Sequence, residues 1–473
     1  METRDLKTKM KNIEVKEKYT SVESIDYQEN KKVVLRGFVD TIRAQSKVIF
    51  ITLREKLDTV QVVYCLSPKA SDEIQSTFKN LKKISVESFI EVEGKTVSVK
   101  RPIESCTKKT FEIEAEKIKI VGDVYDKLPF LVKDASSTLK DNKNPSVGYN
   151  VRIDNRFLDF RVGATHAMIR IIDETMHSFR DYLRKNDFIE IKTSKIIQSG
   201  SEGGANLFSV NYFDKTAYLA QSPQLYKQLA ILGGLKRVCE IGHVYRAEVS
   251  NINRYLSEFT GMDMEMQLEG TYIDYVYFLH KVLTNIFSSI KENRERELEI
   301  IRKYQHFEDL KYKEEPVIIE HCKAVDMLNE KGCNLTYNDD FSREEEKKLG
   351  AIVKEIYGVD LFVVIDYPKD VRAFYTYVDT ETGKTRSYDF IMRGEEILSG
   401  AQRETRYTHL TDAIIAKGIN IESLSNYLEP FKYGAPEHIG CGIGLERFLK
   451  AFFGFDDIRY FSLFPRDPNR IFP

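Results

Sequence analysis

Apolar and polar residues alternate with a period of two in five short runs: VVLRGFVD (33–40), KVIFITLR (47–54), TVQVVYC (59–65), FIEVEGKTVSV (89–99) and FEIEAEKIKIV (111–121). A strand with one buried face needs this pattern, because successive side chains point to opposite sides. A helical stretch near Ser71–Lys79 separates the third run from the fourth. Five β-runs with a helix at that place predict a small closed barrel of the OB type, over residues 23–122. Such barrels commonly bind oligonucleotides on one face. A barrel serving only as a protein interaction module is the alternative.

Residues 1–22 are rich in Lys and Glu with little periodicity, a polar extension. Residues 123–162 are rich in Asp, Lys, Asn and Ser and read as a hinge. Beyond it the period changes to 3.6. Met168, Ile171, Ile172, Met176, Phe179 and Leu183 share one face of a helix over Thr165–Lys185. Strand-like runs follow at 188–196, 216–222, 237–248 and 259–268, then a long helix from Tyr272 to about Lys303. The stretch 305–357 reads as a mixed insertion carrying a highly charged helix, Ser342–Ile356. Strands return at 361–366, 373–379, 386–393 and 395–402, before a strand, turn and helix at Ile439–Phe453. Nearly consecutive strands flanked by helices predict an α+β domain on an antiparallel sheet, residues 163–473.

Composition adds mainly exclusions. The 473 residues suit two or three domains. A formal net charge of -2 argues against nucleic-acid binding by bulk charge, though not against a local basic face. The charged N-terminus has no apolar core of a secretory signal, and no run approaches the ~20 apolar residues of a membrane span. Six scattered cysteines without a CxxC pair fit a reducing compartment and give no zinc site. A cytosolic protein is expected, with no membrane partner.

Four polar runs make little sense as packing: QSPQLYKQ (221–228), YRAE (245–248), EEILSGAQR (395–403) and GCGIGLER (440–447). Each adjoins an apolar strand-like segment and puts charge or amide where a sheet should face its core. There is no GxxxxGK[ST] loop. Gly440, Gly442 and Gly444 precede a helix with the wrong spacing for a dinucleotide fingerprint. They read either as a tight strand-to-helix turn or, with Arg447 at the helix start, as a polyphosphate clamp. Arg246 and Glu248 lie on the same side of a strand end. They form either a surface ion pair or a phosphate contact beside an acceptor for an adenine amino group. Asp389, Glu396 and Ser399 are either solvated groups or oxygen ligands for Mg²⁺. No His or Ser stands out as a nucleophile.

In combination, SEGGA, LAQSPQLYKQL, RAE, EFTGMDMEM, RGEEILSGAQR, GIGLER and SLFPRDPNR resemble the class II aminoacyl-tRNA synthetases, within them the aspartyl-tRNA synthetases of eukaryotic and archaeal type. The resemblance runs from about Lys32 to Pro473. It implies a class II synthetase fold with an OB anticodon-binding barrel, a homodimer, and ATP, Mg²⁺, L-aspartate and tRNA-Asp as cofactor, substrates and partner. It further implies that Arg246 holds the α-phosphate, that Arg447 holds the γ-phosphate and stacks on adenine, that Phe259 covers the other adenine face, and that Glu248 reads its amino group. Arg254, Tyr255, Leu256 and Gly444 complete the ATP site. Asp389, Glu396 and Ser399 hold the metal.

The same resemblance assigns the aspartate site. Arg403 and Lys227 meet the side-chain carboxylate, Asp263, Gln224 and Glu202 surround the ammonium, and Ser399 lies beside them. Ser201–Gly204 is the loop expected to close over aspartate. On this reading asparagine leaves two cations without an anion, a mismatch able to support roughly 10⁴-fold selectivity. Lys227 then discriminates against asparaginyl and lysyl enzymes, and Lys227→Leu should hurt aspartate activation far more than folding. On the barrel, Arg43, Phe50 and Gln61 are the implied anticodon contacts, with Phe50 either stacking on a base or filling the barrel core. Lys7, Lys9, Lys11, Lys16 and Lys18 either touch tRNA phosphates or are solvated. Ser194 stands where the family carries an interface proline. Tyr255 stands where many relatives carry histidine, so it can donate to a phosphate but adds no charge. An asparaginyl or lysyl enzyme, or an inactive paralogue, are the rival readings; Arg246, Glu396 and Arg447 are all intact.

Overall fold

The computed structural model describes residues 19–137, 146–198, 200, 207–248 and 255–472. It divides into two compact units. One carries the barrel and ends at Ser137, apart from short later stretches; the other comprises Gly148–Asp159 and the chain from Ala167 onward, with a short earlier piece. Residues 160–166 group with the first unit, so the expected hinge is shared between the two.

Five strands close the barrel in the order β1-β2-β3-β5-β4: β1 Lys32–Ala44, β2 Val48–Glu55, β3 Asp58–Cys65, β4 Phe89–Ser98 and β5 Phe111–Gly122. The period-two pattern sets the inside. Leu35, Ile49, Ile51, Leu53, Val60, Val62, Ile90, Val92 and Ile113 are all fully buried. Helix α1, Asp72–Leu81, starts at Ser71, whose side chain accepts from the Ile74 N–H. Its Phe78 and Leu81 join the barrel core, each contributing about 1.5–3 kcal/mol by burial.

The second unit is built on an eight-stranded sheet in the order β12-β13-β14-β15-β16-β11-β10-β6. Its strands are β6 Ile189–Glu190, β10 Arg237–Tyr245, β11 Glu258–Gln267, β12 Ile318–Glu320, β13 Leu361–Ile365, β14 Ser387–Met392, β15 Glu395–Gln402 and β16 His438–Gly444. The central pairings are antiparallel, and only the edges, β12 on β13 and β6 on β10, are parallel. A small sheet, β7-β9-β8, takes Ile196–Ile197, Lys215–Leu219 and Ser209–Tyr212. The longer helices are α2 Gly163–Lys185, α3 Gln224–Leu232, α4 Tyr272–Asn293, α5 Glu295–Tyr304, α6 His321–Glu330, α7 Arg343–Tyr357, α8 Tyr407–Ala416 and α9 Leu445–Phe453.

Four expectations are corrected. The run 188–196 is not one strand, because its ends enter two different sheets as β6 and β7. The helix from Tyr272 breaks at Arg294, whose φ of -130° leaves the helical region, so α4 and α5 are separate. The run 373–379 makes only isolated bridges, Thr376 to Arg403 and Val378 to Thr385. The stretch read as an insertion supplies the edge strand β12, while Leu349, Ile352 and Val353 of α7 pack with Phe362 and Ile391 of the sheet.

Candidate active site

The site begins with an alternation in β11. Met262 and Met264 point into the core and are fully buried, while Phe259, Gly261, Asp263 and Glu265 share the opposite face. Strand β16 answers with glycines, Gly444 opposite Gly261, Gly442 opposite Asp263 and Gly440 opposite Glu265. A Cβ on Gly440 would lie 1.9 Å from Glu265 Oε2, and one on Gly442 would lie 3.1 Å from Asp263 Oδ1. These glycines therefore clear room for carboxylates along a strand. The last of them, Gly444, also makes the direct turn from β16 into α9 as its N-cap.

Two cations meet those carboxylates. Lys227, one turn into α3, donates to Asp263 Oδ1 at 2.9 Å and to the Cys441 carbonyl at 2.8 Å, and lies 3.5 Å from Glu265 Oε2. Arg403, just beyond β15, grips Glu265 through Nε at 2.7 Å and Nη2 at 3.0 Å. Arg403 is 3% exposed and Glu265 0%, so the pair is dry. Burial alone would raise the Glu265 carboxyl, but Arg403 and then Lys227 outweigh it and hold the group below its usual range. Burial likewise works against the Arg403 charge, and Glu265 more than restores it.

This quartet bears on the form of the specificity argument. Both cations are compensated by protein carboxylates, so an asparagine substrate would not strand them. Nor does Lys227 line the cavity; it lies behind Asp263. Gln224 is also recast: its carbonyl accepts from Arg403 Nη2 at 3.3 Å, and its buried amide nitrogen has no partner among the described residues. A spare N–H suits an oxygen of the substrate and not its ammonium. Gln221, fully buried on the cavity wall, likewise has both amide atoms unpartnered among the described residues. Orphaned polar atoms in a cavity point to a polar ligand.

The cavity above the quartet has a volume of about 250 Å³. Asp263, Gln224, Ser399 and Arg403 line one part of it. Arg246, Glu248, Tyr255, Leu256, Phe259, Glu396, Gly444 and Arg447 also line it. The Arg246 guanidinium lies 5.5 Å from the centre of the Phe259 ring. A Cβ on Gly444 would be 3.8 Å from both that ring and the Arg447 Cβ. Gly444 thus sits between the Phe259 ring and the base of the Arg447 side chain. Glu202, Arg254, Ser201–Gly204 and the N-terminal lysines fall outside the described residues.

Asp389 is set apart from the other proposed metal ligands. It pairs across the β14–β15 ladder with Ser399, but Arg372 takes both of its oxygens, through Nη1 at 3.0 Å and through Nη2. Arg372 Nη1 also reaches Ser399 Oγ at 3.2 Å, and the guanidinium stacks 3.6 Å over Tyr367. No sequence pattern marked Arg372. Among the described residues no cluster of three or more His, Cys, Asp or Glu could hold a metal. Glu396 and Ser399 remain as hard oxygen donors facing the cavity, which suits a cation that binds by one or two protein oxygens plus phosphates.

Two cavity carboxyls are lifted from the ordinary 4.5 to about 7: Glu396 by burial and then Asp389, against Arg447, and Glu446 by burial, although it accepts the Thr260 N–H. Between those values the folded chain binds more protons than the unfolded one. The stability these groups supply is full below pH about 4.5 and lost as pH rises through about 7. Glu396→Gln should therefore gain melting temperature relative to the parent as pH rises from about 5 to about 8. Calorimetry of both proteins checks this, and parallel pH curves would sink it.

The barrel presents its own candidates. Arg43 and Phe50 are cross-strand partners on the outer face, with the guanidinium 5.8 Å from the ring centre. Phe50 is half-buried and has the opposite parity to the core residues Ile49 and Ile51, which excludes the core reading. Gln61 shares that face and donates to Glu112 Oε2 at 2.7 Å.

Comparison with known proteins agrees with this geometry. The family of class II tRNA synthetases (D, K and N) matches residues 148–468. The chain is 59% identical to "Probable aspartate--tRNA ligase, cytoplasmic" of Enterocytozoon bieneusi (strain H348), over 100% of both chains. It belongs to the aspartyl-tRNA synthetases. A second relative with the same description, from Encephalitozoon cuniculi (strain GB-M1), is 52% identical and covers 93% of this chain and 94% of its own. Among solved structures, the aspartyl-tRNA synthetase of Entamoeba histolytica superposes with a TM-score of 0.87 at 35% identity, covering 96% of this chain and 93% of its own. The asparaginyl-tRNA synthetase of Pyrococcus horikoshii, solved with asparaginyl-adenylate, gives 0.79 at 29% identity, covering 94% and 97%. The function is that of an aspartate–tRNA ligase on the class II synthetase fold, and the named relatives are cytoplasmic. Among the described residues no helix is long and apolar enough to cross a membrane.

Proposed function

We propose that this aspartyl-tRNA synthetase selects aspartate with the guanidinium of Arg403, supported from behind by Glu265, Lys227 and Asp263. The observation that carries the reading is the buried quartet with Arg403 at the cavity surface. Glu265 and Gln224 occupy Nε and Nη2, leaving the N–H groups of Nη1 for the substrate's side-chain carboxylate. That edge offers donors only. The amide of asparagine would turn N–H groups against it, leaving buried donors unpaired, which is the mismatch that supports selectivity of about 10⁴-fold. Asp263, with Oδ1 held by Lys227, receives the ammonium through its other oxygen.

ATP takes the slot between Phe259 and Arg447, its α-phosphate on Arg246 and its adenine amino group on Glu248. Tyr255, Leu256 and Gly444 close the slot, with Arg254 added from its family position, while Glu202 joins Asp263 at the aspartate ammonium by its family position. The α-carboxylate of aspartate attacks the α-phosphorus, and the bond to pyrophosphate breaks. An ionised carboxylate needs no protein base, so catalysis rests on alignment and on the cations facing the phosphates. The terminal ribose hydroxyl of tRNA-Asp then attacks the adenylate carbonyl, and AMP leaves. Glu396 and Ser399 would hold Mg²⁺, which supplies charge neutralisation to the polyphosphate. Arg43, Phe50 and Gln61 read the anticodon, and the chain works as a homodimer, with exposed Ser194 in place of the family's proline.

ATP–pyrophosphate exchange measured with Asp, Asn and Lys tests the selectivity. Exchange should occur with aspartate and fall by about 10⁴-fold with asparagine. Comparable rates with both amino acids would overturn the donor-edge reading.

A further inference from the structure

The fold buries Gln221 in the cavity wall without using its amide. The residue is 0% exposed, and among the described residues neither Oε1 nor Nε2 has a hydrogen-bond partner. No other buried side-chain amide among them has both atoms open. The Gln224 carbonyl accepts from Arg403 at 3.3 Å, and that of Gln402 accepts from Arg386 at 3.1 Å. An amide carries two N–H donors and two acceptor lone pairs, and leaving them buried and unpaired is costly. Packing alone would be served better by Leu or Met.

The backbone fixes where this amide sits. The Tyr245 N–H donates to the Ala220 carbonyl at 2.9 Å, so Gln221 and Arg246 are the next residues on two joined segments. Pro223 then caps α3, which begins at Gln224. Gln221 therefore lies between the Arg246 segment and the first turn of α3, and it lines the cavity with Arg246 and Gln224. Gly200 leaves the amide uncovered, since a Cβ there would come within 3.3 Å of Gln221 Oε1 and 3.1 Å of Leu207 Cδ1.

The open atoms are one acceptor and one donor on a single carbon. An α-amino acid offers the complement, an ammonium and a carboxylate on a single carbon, whereas a phosphate offers acceptors only. A neutral amide also suits the reaction. The α-carboxylate is the nucleophile, and a cation on it would draw off the charge with which it attacks. An N–H can hold one of its oxygens and leave the other facing the α-phosphorus.

We infer that Gln221 is a further aspartate-contacting residue, with Oε1 accepting from the α-ammonium and Nε2 donating to the α-carboxylate oxygen that does not attack. The inference rests on the proposed placement of aspartate between Arg403 and Arg246, and adds a reader for the groups that all α-amino acids share. One carboxylate oxygen bonds to the α-phosphorus, and the bond to pyrophosphate breaks with its electron pair. The oxygen on Nε2 becomes the adenylate carbonyl, and no proton moves.

ATP–pyrophosphate exchange and competitive inhibition on the full-length protein test it. Gln221→Met keeps the size and breaks no protein hydrogen bond, so the melting temperature of the unliganded protein should not fall. KM for aspartate should rise about 100-fold, as for two lost hydrogen bonds to charged groups, and KM for ATP by less than about threefold. Succinate, which has no ammonium, should lose about tenfold less affinity than aspartate. An unchanged KM for aspartate, or a lower melting temperature with both KM values rising together, would make Gln221 a packing residue and overturn the inference. A rise in KM for ATP alone would assign the amide to adenine and overturn it too. Equal losses for succinate and aspartate would remove the ammonium contact. The placement of aspartate is judged separately. Gln221→Met should keep the preference for aspartate over asparagine, since the two share their α-groups, whereas Arg403→Lys should lower it. If Arg403→Lys changes neither preference nor activity while Gln221→Met behaves as expected, the Arg403 reading fails and the Gln221 contact stands.

Discussion

Replacing Arg403 with leucine should lower kcat/KM for aspartate in ATP–pyrophosphate exchange by roughly 10³-fold, as expected for truncating a buried, hydrogen-bonded charge. It should also destabilise the fold, because Glu265 is fully buried and Lys227, at 3.5 Å, is already engaged with Asp263. Breaking one partner of a buried pair costs about 3–5 kcal/mol. The two effects can be separated. Arg403→Leu/Glu265→Gln removes the stranded charge and should recover most of the lost melting temperature with none of the lost activity. Arg403→Lys keeps the charge but cannot span Glu265 and the substrate together, since an ammonium has no planar fork. It should fold nearly as well as the parent and still lose about 100-fold in kcat/KM. An Arg403→Lys protein of near-parental activity would mean that charge alone selects aspartate.

The barrel was legible because its strands bury one face each, and a period of two reports that directly. Phe50 and Arg43 could be placed outside once the parity of Ile49 and Ile51 was fixed. The central strands of the large sheet were also legible, since the runs 395–403 and 440–447 put charges on β15 and just after β16 with no other use. What the sequence hid has physical causes. The break at Arg294 contains no Gly or Pro, and only the φ of -130° at that residue reveals it. The run 373–379 has strand-like composition but finds only isolated partners, and composition says nothing about partners.

The candidate site divides in the same way. Arg246, Phe259, Glu396 and Arg447 were found because their motifs put them on one cavity wall. Glu265 was missed although it stands in the same alternation as Asp263, two residues on; reading β11 as two faces would have exposed it. Arg372 had no such signal, because it lies outside the strands and acts through Asp389 and Ser399, which only the fold brings to it. The glycines of β16 were visible as a pattern, but their purpose depends on what faces them across the ladder.

Lys227 changes most between sequence and structure, and its substitution carries the other large expected effect. As a residue in direct contact with substrate it should have been dispensable for folding. It is instead 2% exposed, holds Asp263 and a backbone carbonyl, and lies beside Glu265. Lys227→Met should therefore destabilise the protein by about 3–5 kcal/mol, a large share of the 5–15 kcal/mol typical of a folded domain. Aspartate activation should fall with it, because Asp263 is then without the ammonium that aims it at the cavity. Kinetics below the melting range of each variant distinguish the two routes. If Lys227 acts through Asp263, Lys227→Met/Asp263→Asn should lose no more activity than Asp263→Asn alone, and should be more stable than Lys227→Met because no unpaired aspartate remains at that position. If Lys227 meets the substrate carboxylate itself, the two losses should multiply. Thermal melting and exchange kinetics on these three variants decide between them, and multiplying losses would return Lys227 to the cavity wall.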